Sequence, residues 1–148
     1  MLDDLDIKLL RVLQHSGRTK RNELAESVAL SIPSVSERLN KLEQKGIIEG
    51  YYTKLNKKAF GFDIMAYIQL NMESSKHYKD LVSRVMKMPE ILECHSILGE
   101  GSHLLKAVVK NTGALEKLLA EIQAWPGVVS TKTTFILSTI KETTEINI

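Results

Sequence analysis

Four histidines and one cysteine are the side chains best suited to acid–base or nucleophilic chemistry, and their spacing does not build a catalytic site. Cys94 and His95 are neighbours in a strand-like segment, so their side chains should point to opposite faces. His15, His77 and His103 are scattered along the chain. No phosphate-binding loop, zinc spacing or triad-like motif is present. We therefore predict no enzyme activity, no cofactor and no metal site, and we expect Cys94 to be a small core residue.

The stretch "LSIPSVSERLNKLEQKG", residues 30–46, combines two faces of opposite character. Its apolar residues recur at helical spacing and predict one buried stripe: Ile32, Val35, Leu39 and Leu42. A helical wheel with about 100° per residue places the other side chains opposite that stripe: Pro33, Ser34, Glu37, Lys41 and Gln44, with Arg38 and Lys45 at one flank. Small residues at the start of this face would let the helix approach base edges in a major groove, and Arg38 and Lys41 would reach phosphates or guanine edges.

This outward face also has a plainer interpretation, because a polar helix face of mixed charge is usually only solvated. Glu37 would repel phosphates unless it pairs with Lys41 or accepts a hydrogen bond from a cytosine amine. A hydroxyl and three nearby cations are placed to bind flanking phosphates: Ser31, Arg18, Lys20 and Arg21. The arrangement of the neighbouring helices favours DNA binding over solvation.

Two helical segments precede this one and complete a recognisable unit. The first, Asp3 to Leu13, opens with acids, which suit the positive end of the helix dipole. The second runs from about Lys20 to Ala29, and Thr19 is its expected N-cap. The third begins at the N-cap Ser31 and ends at Gly46. The short connection between the last two helices predicts a helix-turn-helix.

Composition sets the broad class of protein. With 148 residues, 43% of them hydrophobic, and a net charge of +2, the chain is an ordinary globular protein of one or two small domains. A charge this small does not itself argue for nucleic acid, so a basic surface must come from placement. No apolar run approaches the ~20 residues of a membrane span, and the start "MLDDLD" is acidic where a signal peptide would be basic. We expect a cytoplasmic protein with no membrane partner.

The residues after position 62 predict a second domain of different composition. Strand patterns lie at 63–72, 91–98, 103–111 and 128–140, and helical patterns lie at 77–88 and 112–125. The order β-α-β-β-α-β predicts a split βαβ sandwich of four antiparallel strands with two helices on one face. The tail "KETTEINI" is expected to extend the last strand. The predicted fold class is α+β, with domains at 1–50 and 63–148 joined by residues 51–62.

The stretch "LDDLDIKLLRVLQHSGRTKRNELAESVALSIPSVSERLNKLEQKGIIEGYYTKLN" resembles the N-terminal half of the Lrp/AsnC (feast/famine) transcription regulators. It matches the family's opening "LD..D..IL..L…GR" and its "S…ER...LE..G.I.GY" signature. The resemblance continues through "FGF", "ECHSILGEGSHLLKAVVK" and "WPGVVSTKTTFILSTIK", and so covers essentially the whole chain. It implies a sequence-specific regulator of double-stranded DNA, with a winged helix-turn-helix and a hinge strand near Tyr51 to Leu55. It also implies a ferredoxin-like C-terminal domain that forms dimers or larger homo-oligomers and binds small effectors, commonly amino acids.

In similar proteins the turn between the second and third strands reads Gly-x-x-Asp, with an aromatic residue after it, and lines an effector pocket. Here the turn consists of Gly99, Glu100, Gly101, Ser102 and His103. Its glycines permit a tight turn that exposes backbone amides to a ligand carboxylate. Ser102 replaces the acid that would hold a ligand's ammonium group, and Glu100 is a substitute for that charge. Three hydroxyls of the last strand are expected in the same pocket: Thr131, Thr133 and Thr134. The alternative is a plain hairpin turn beside a solvated strand.

Two other functions suit the same two-domain layout. Some proteins of this layout resemble sirohaem decarboxylases, which bind a tetrapyrrole through histidine and arginine in the C-terminal domain. Here that domain has one arginine, Arg84, and a single guanidinium cannot pair with the several carboxylates of a tetrapyrrole. The second alternative is a structural partner that caps assemblies of related proteins and reads no DNA. The prediction we favour is a homodimeric or larger transcription regulator.

Overall fold

The computed structural model describes residues 2–148 and divides the chain into two compact units. The first unit comprises the residues up to Lys54 together with Lys141–Ile148, and the second comprises Leu55–Ile140. The sequence places residues 141–148 in the C-terminal domain, whereas in the structure they group with the N-terminal helices. No helix in residues 2–148 is long and apolar enough to cross a bilayer.

Three helices build the first unit: α1 Asp4–His15, α2 Arg21–Val28 and α3 Ile32–Gln44. Their apolar faces meet in one core, in which Leu9, Leu24 and Val35 are almost completely buried. Ile32, expected in the same stripe, is 48% exposed. Periodicity gives the direction of a side chain but not whether a neighbouring element reaches that turn of the helix.

The helix starts follow local hydrogen bonding. The backbone amide of Asp6 donates to the carboxylate of Asp3 at 2.8 Å, which caps α1. The predicted N-cap Ser31 is confirmed, because its hydroxyl accepts from the amide of Ser34 at 3.3 Å. The prediction for Thr19 is wrong: Lys20 occupies the N-cap position of α2 without a side-chain capping bond, and the Thr19 hydroxyl donates to the carbonyl of Ser16 at 2.7 Å.

The predicted short turn between α2 and α3 is confirmed and has a defined geometry. Ala29 takes the left-handed conformation, with φ 55°. The amide of Ala29 donates to the carbonyl of Glu26, and the amide of Leu30 donates to the carbonyl of Ala25 at 3.0 Å. This pair of bonds is a Schellman motif, which ends α2 and turns the chain into Ser31, the cap of α3.

The sequence predicts that residues 141–148 extend the last strand. This prediction is wrong, because these residues pack along α1. Nε2 of Gln14 donates to the carbonyl of Ile146 at 3.0 Å, and Oε1 of Gln14 accepts from the amide of Ile146 at 2.7 Å. Nε of Arg11 donates to the carbonyl of Ile148 at 2.7 Å, and Ile148 contacts the apolar core of the unit. The backbone of this strand-like segment is therefore hydrogen-bonded to side chains of α1 and not to a neighbouring strand.

The second unit has the predicted order of elements: β1 Ile64–Met72, α4 Tyr78–Val85, β2 Ile91–Ser96, β3 His103–Val109, α5 Thr112–Gln123 and β4 Val128–Phe135. Its four strands are antiparallel in the order β2-β3-β1-β4, so the predicted α+β sandwich is confirmed. Residues 51–56 form no strand; they are followed by a 3₁₀ turn, Lys57–Phe60. A hinge strand needs a second strand to pair with, and none lies beside this segment among the described residues.

Alternation along β1 sorts the side chains of the sheet between two faces. Ile68 and Leu70 are fully buried on the face that carries both helices, where they meet Leu81 of α4 and Ile122 of α5. Tyr67 points to the opposite face, as do its strand partners Lys106 and Thr134. Both helices of this unit pack on the first face, so neither of them covers the second face of the sheet.

Candidate nucleic-acid interface and effector pocket

The face of α3 that we predict to enter DNA is open in the first unit. The opposite side of the helix is anchored, because Val35, Leu39 and Leu42 are each at most 3% exposed. The outward face has exposed or half-buried side chains: Pro33, Ser34, Glu37, Lys41 and Gln44. The predicted buried stripe is thus confirmed at Val35, Leu39 and Leu42 and wrong at Ile32, and the opposite face of α3 is exposed within this unit.

Glu37 and Lys41 form the pair that the sequence suggests. Nζ of Lys41 lies 2.6 Å from Oε1 of Glu37, and both side chains are more than 60% exposed. The hydrogen bond from Lys41 holds the pKa of the Glu37 carboxyl below its ordinary value. Exposed pairs of this kind contribute little to stability, so Lys41 can exchange Glu37 for a phosphate at small cost.

Arg38 has a different environment from Lys41. Its Nη1 lies 2.7 Å from the carboxylate of Asp3 and 2.8 Å from that of Asp6, and its side chain is 28% exposed. The hydrogen bonds that the guanidinium donates to Asp3 and Asp6 raise its pKa. Arg38 therefore joins α3 to the start of α1, and any contact with DNA competes with these two ion pairs.

The flanking cations that we predict to bind phosphates lie at the start of α2. Arg18, Lys20 and Arg21 are exposed, and no ion pair joins any of them to an acid among residues 2–148. The hydroxyl of Ser31, in contrast, caps α3 and lies 2.8 Å from the hydroxyl of Ser34. The three cations are free to bind an anion, whereas Ser31 already has a structural role.

The turn before β3 requires both of its glycines. Gly99 and Gly101 have φ of 124° and 84°, a region that favours glycine. A Cβ at position 101 would lie 2.9 Å from the carbonyl oxygen of Leu70. The amide of Ser102 donates to that same oxygen at 2.7 Å, so this amide is not available to a ligand.

The hydroxyl of Ser102 ties the turn to β1. It accepts from the amide of Met72 at 3.2 Å, donates to the carbonyl of Leu70 at 3.2 Å and lies 3.0 Å from Nδ1 of His103. The hydroxyl has a single proton, which can be donated either to the carbonyl of Leu70 or to Nδ1 of His103. The tautomer of the His103 ring follows from which of these two bonds the hydroxyl proton makes.

The remaining residues predicted for the pocket are distributed over the unit. Glu100 faces Lys132 at 3.4 Å. Thr131 and Thr133 lie on the helix-bearing face, where the Thr131 hydroxyl accepts from Gln123 at 2.9 Å. The expectation that all three threonines line one pocket is wrong, because neighbouring strand residues alternate and Thr134 lies on the other face. His103 and Thr131 both pair with Leu70, from opposite sides, which places them about 10 Å apart.

A cavity of about 150 Å³ lies between α4 and the strands β2 and β3. His103 is the one residue of the predicted effector set that lines it. The sequence analysis missed the contribution of α4, although the apolar residues Tyr78, Val82 and Met86 recur at intervals of four and indicate a second stripe. Cys94 also lines the cavity and is exposed, so its expected place in the core is wrong. It belongs to β2, an edge strand of the sheet.

Comparison with known proteins assigns both units. Residues 2–49 match a winged helix-turn-helix DNA-binding domain, and residues 65–146 match the Lrp/AsnC ligand binding domain. The HTH-type transcriptional regulator FL11 of Pyrococcus horikoshii is 32% identical over 147 residues, which are 99% of this chain and 97% of FL11. The leucine-responsive regulatory protein of Rhizobium meliloti is 33% identical over 150 residues, covering 99% and 96% of the two chains.

Solved structures agree with this assignment over both units. A transcriptional regulator of Neisseria meningitidis in complex with L-methionine has a TM-score of 0.93 and 34% identity, covering 99% of this chain and 97% of its own. AsnC of E. coli has a TM-score of 0.89 and 27% identity, covering 98% of each chain. The chain therefore belongs to the Lrp/AsnC family of DNA-binding transcription regulators.

Proposed function

We propose that α3 is the recognition helix of this regulator and that it enters the major groove with Pro33 and Ser34 near the base edges. The observation that carries the proposal is the division of α3 into an anchored apolar side and an open side with small and cationic residues. Lys41 binds a phosphate after it leaves Glu37, because their pair is exposed and weak. Arg38 holds α3 in place through Asp3 and Asp6.

The phosphates on either side of the groove are bound by the cations that precede α2. Arg18, Lys20 and Arg21 are exposed and free of ion pairs within the described residues. Cations of this kind add affinity that depends strongly on salt but carries no sequence information. Sequence preference then comes from the open face of α3.

The second unit brings two copies together through the sheet face that its own helices leave uncovered. Tyr67, Leu104 and Met65 lie on that face, with Lys106 and Thr134 beside Tyr67. A twofold axis through such a face pairs the same patch of both copies, which is the usual geometry of a homodimer. Two recognition helices would then bind a pseudo-palindromic site with half-sites about one helical turn, or a multiple of it, apart.

The effector of this protein is a small molecule, and we propose an amino acid. The Neisseria relative is solved with L-methionine, and residues 65–146 match a ligand binding domain. An effector changes DNA binding only where it has unequal affinity for alternative assemblies or geometries of the protein. As a DNA-binding regulator, the protein acts in the cytoplasm.

The two alternative functions receive no support from the site. Arg84, the one arginine of the second unit, is bound to Asp80 at 2.7 Å, which reduces its value for the carboxylates of a tetrapyrrole. The relatives are named as transcription regulators and not as enzymes. A structural partner that reads no DNA would leave the open face of α3 without a role.

Selection of bound fragments from random genomic DNA tests the proposed function. We expect recovery of fragments that share a pseudo-palindromic motif, and an affinity for that motif that falls steeply with salt. Recovery of unrelated fragments, or an affinity that does not depend on salt, would contradict the proposal. Incubation with sirohaem provides the control for the decarboxylase alternative, since binding of the tetrapyrrole would shift its Soret band.

A further inference from the structure

The chain passes between the two units twice. It leaves the first unit after Lys54 and returns to it at Lys141. Residues 55–63 and residues 136–140 are therefore two separate connections between the units. The second connection forms neither helix nor strand and is the shorter one, since its five residues span at most about 18 Å.

The two connections begin and end side by side. In the first unit, Nζ of Lys54 lies 2.7 Å from Oε1 of Glu142. In the second unit, the amide of Ile136 donates to the carbonyl of Met65 at 3.0 Å, where the pairing of β1 with β4 ends. A single connecting chain leaves two soft dihedral angles free at each residue. Two chains that are fixed beside each other at both ends oppose rotation of one unit against the other.

The second connection constrains the first unit only while the tail, residues 141–148, is bound to α1. Besides the ion pair of Glu142, that attachment consists of the hydrogen bonds from Gln14 and Arg11 and the apolar contact of Ile148. Nearly all of the tail is exposed, and its backbone pairs with no strand among the described residues. An exposed segment held by few contacts opens at a lower free energy than the whole unit unfolds, so we expect the tail to bind reversibly.

We propose that the tail is a strap that restrains the DNA-binding unit and so makes simultaneous binding of two half-sites possible. The inference rests on the proposed function, in which a homodimer binds DNA through two copies of α3. Binding of the second half-site is then an intramolecular step, whose strength depends on how each α3 is tethered. A bound tail removes freedom of the unit before DNA arrives, so less freedom is lost on binding. A detached tail leaves the unit on residues 55–63 alone but does not alter its contacts with one half-site.

Detachment of the tail tests the proposal on two DNA duplexes, one with both half-sites of the selected motif and one with a single half-site. The released variant combines Gln14→Ala with Ile148→Ala, which removes both side chains that hold the end of the tail. We expect it to bind the two-site duplex about tenfold more weakly than the wild type, and the single half-site within about twofold. Equal losses on both duplexes, or no loss on the two-site duplex, would overturn the proposal.

The matched control is Thr144→Ala, which changes an exposed residue of the same tail and should bind both duplexes as the wild type does. The half-site spacing gives a second measurement. Insertion of about five base pairs rotates one half-site by about half a helical turn. The insertion should weaken binding by the wild type more than binding by the released variant, whose unit follows the displaced half-site more freely. An equal effect on both proteins would count against the strap.

Time-resolved fluorescence anisotropy tests the strap without DNA. A dye on the first unit, at Asn22→Cys in a Cys94→Ser background, should show faster depolarisation in the released variant than in the wild type. A dye on the native Cys94 of the second unit should show the same decay in both proteins. Unchanged depolarisation at position 22 would refute the inference.

These measurements separate the strap from the proposed function. A protein that selects no shared DNA motif would refute the proposed function, and the anisotropy of the first unit would still test the strap. A released variant with unchanged anisotropy and unchanged binding of the two-site duplex would refute the strap and leave α3 as the recognition helix.

Discussion

Nη1 of Arg38 lies 2.7 Å from the carboxylate of Asp3, so the residue that caps α1 also anchors α3, the helix that we propose for DNA recognition. Asp3 and Asp6 cap each other's backbone amides, and both accept from the same guanidinium. The orientation of α3 is therefore coupled to the formation of the first turn of α1. This coupling separates two cations of α3 that look equivalent in the sequence.

We expect Arg38→Ala to lower the thermal stability of the protein, because it removes both ion pairs between α3 and α1. DNA affinity should fall to a similar extent for specific and random sequences, since the helix itself is less well held. Thermal unfolding and fluorescence anisotropy measure the two effects. An unchanged Tm with a loss confined to one base pair of the motif would show instead that Arg38 reads a guanine.

Lys41→Ala should leave the Tm unchanged, because its pair with Glu37 is exposed. We expect weaker DNA binding and a plot of log affinity against log salt that is flatter by about one unit, the value for one lost phosphate contact. The matched control is Lys117→Ala, which changes an exposed lysine of α5. Equal slopes for all three proteins would remove Lys41 from the interface.

Local features of α3 are predictable from the sequence, whereas its contacts with distant residues are not. The anchored stripe of Val35, Leu39 and Leu42 follows from periodicity, and the Ser31 cap follows from local hydrogen bonding, so both are readable within one turn of helix. The partners of Arg38 lie 35 and 32 residues away, and no local pattern encodes them. The α+β order was likewise predictable, whereas the attachment of the tail to Gln14 depends on a contact across 132 residues.

The stability of the first unit should depend on the charge of Asp3. The amide of Asp6 and the guanidinium of Arg38 hold the pKa of the Asp3 carboxyl below its ordinary value of 3.8. A carboxyl whose pKa is lower in the folded state stabilises that state above pH 3.8, and the contribution is lost as the pH falls through the folded pKa. Asp3→Asn keeps a capping side chain but not the charge.

We therefore expect the wild type to be more stable than Asp3→Asn at neutral pH, with the difference closing below about pH 4. Urea unfolding of both proteins at a series of pH values measures the free energy of unfolding directly. A difference that stays constant down to the lowest pH would mean that the charge of Asp3 is not responsible.

Ala29 is the residue of the helix-turn-helix whose backbone is least suited to its side chain. Its φ of 55° is a left-handed conformation that glycine adopts without the penalty of a Cβ. We expect Ala29→Gly to raise the free energy of unfolding by about 0.5–1 kcal/mol, after allowing for the greater freedom of glycine in the unfolded chain. Denaturant unfolding measures the change.

The control for this prediction is the same substitution in ordinary helical backbone. Ala120 is exposed within α5, and Ala120→Gly should lower the free energy of unfolding by about 1 kcal/mol. If both variants are destabilised alike, the turn between α2 and α3 does not have the left-handed geometry at Ala29.

The tail should be held to α1 by the side chain of Gln14. Its side-chain amide donates to the carbonyl of Ile146 and accepts from the N–H of the same residue, as the backbone of a neighbouring strand would. Gln14→Ala removes both bonds, and Ile148 then depends on its apolar contact and on Arg11 alone. We expect faster amide hydrogen exchange in residues 141–148 and a lower Tm, while the amides of β1 and β3 keep their protection.

Gln44→Ala, at an exposed position of α3, should change neither measurement. Equal exchange of the Ile146 amide in wild type and Gln14→Ala would show that the tail is not bound there in solution, and residues 141–148 would then contribute nothing to the stability of the DNA-binding unit.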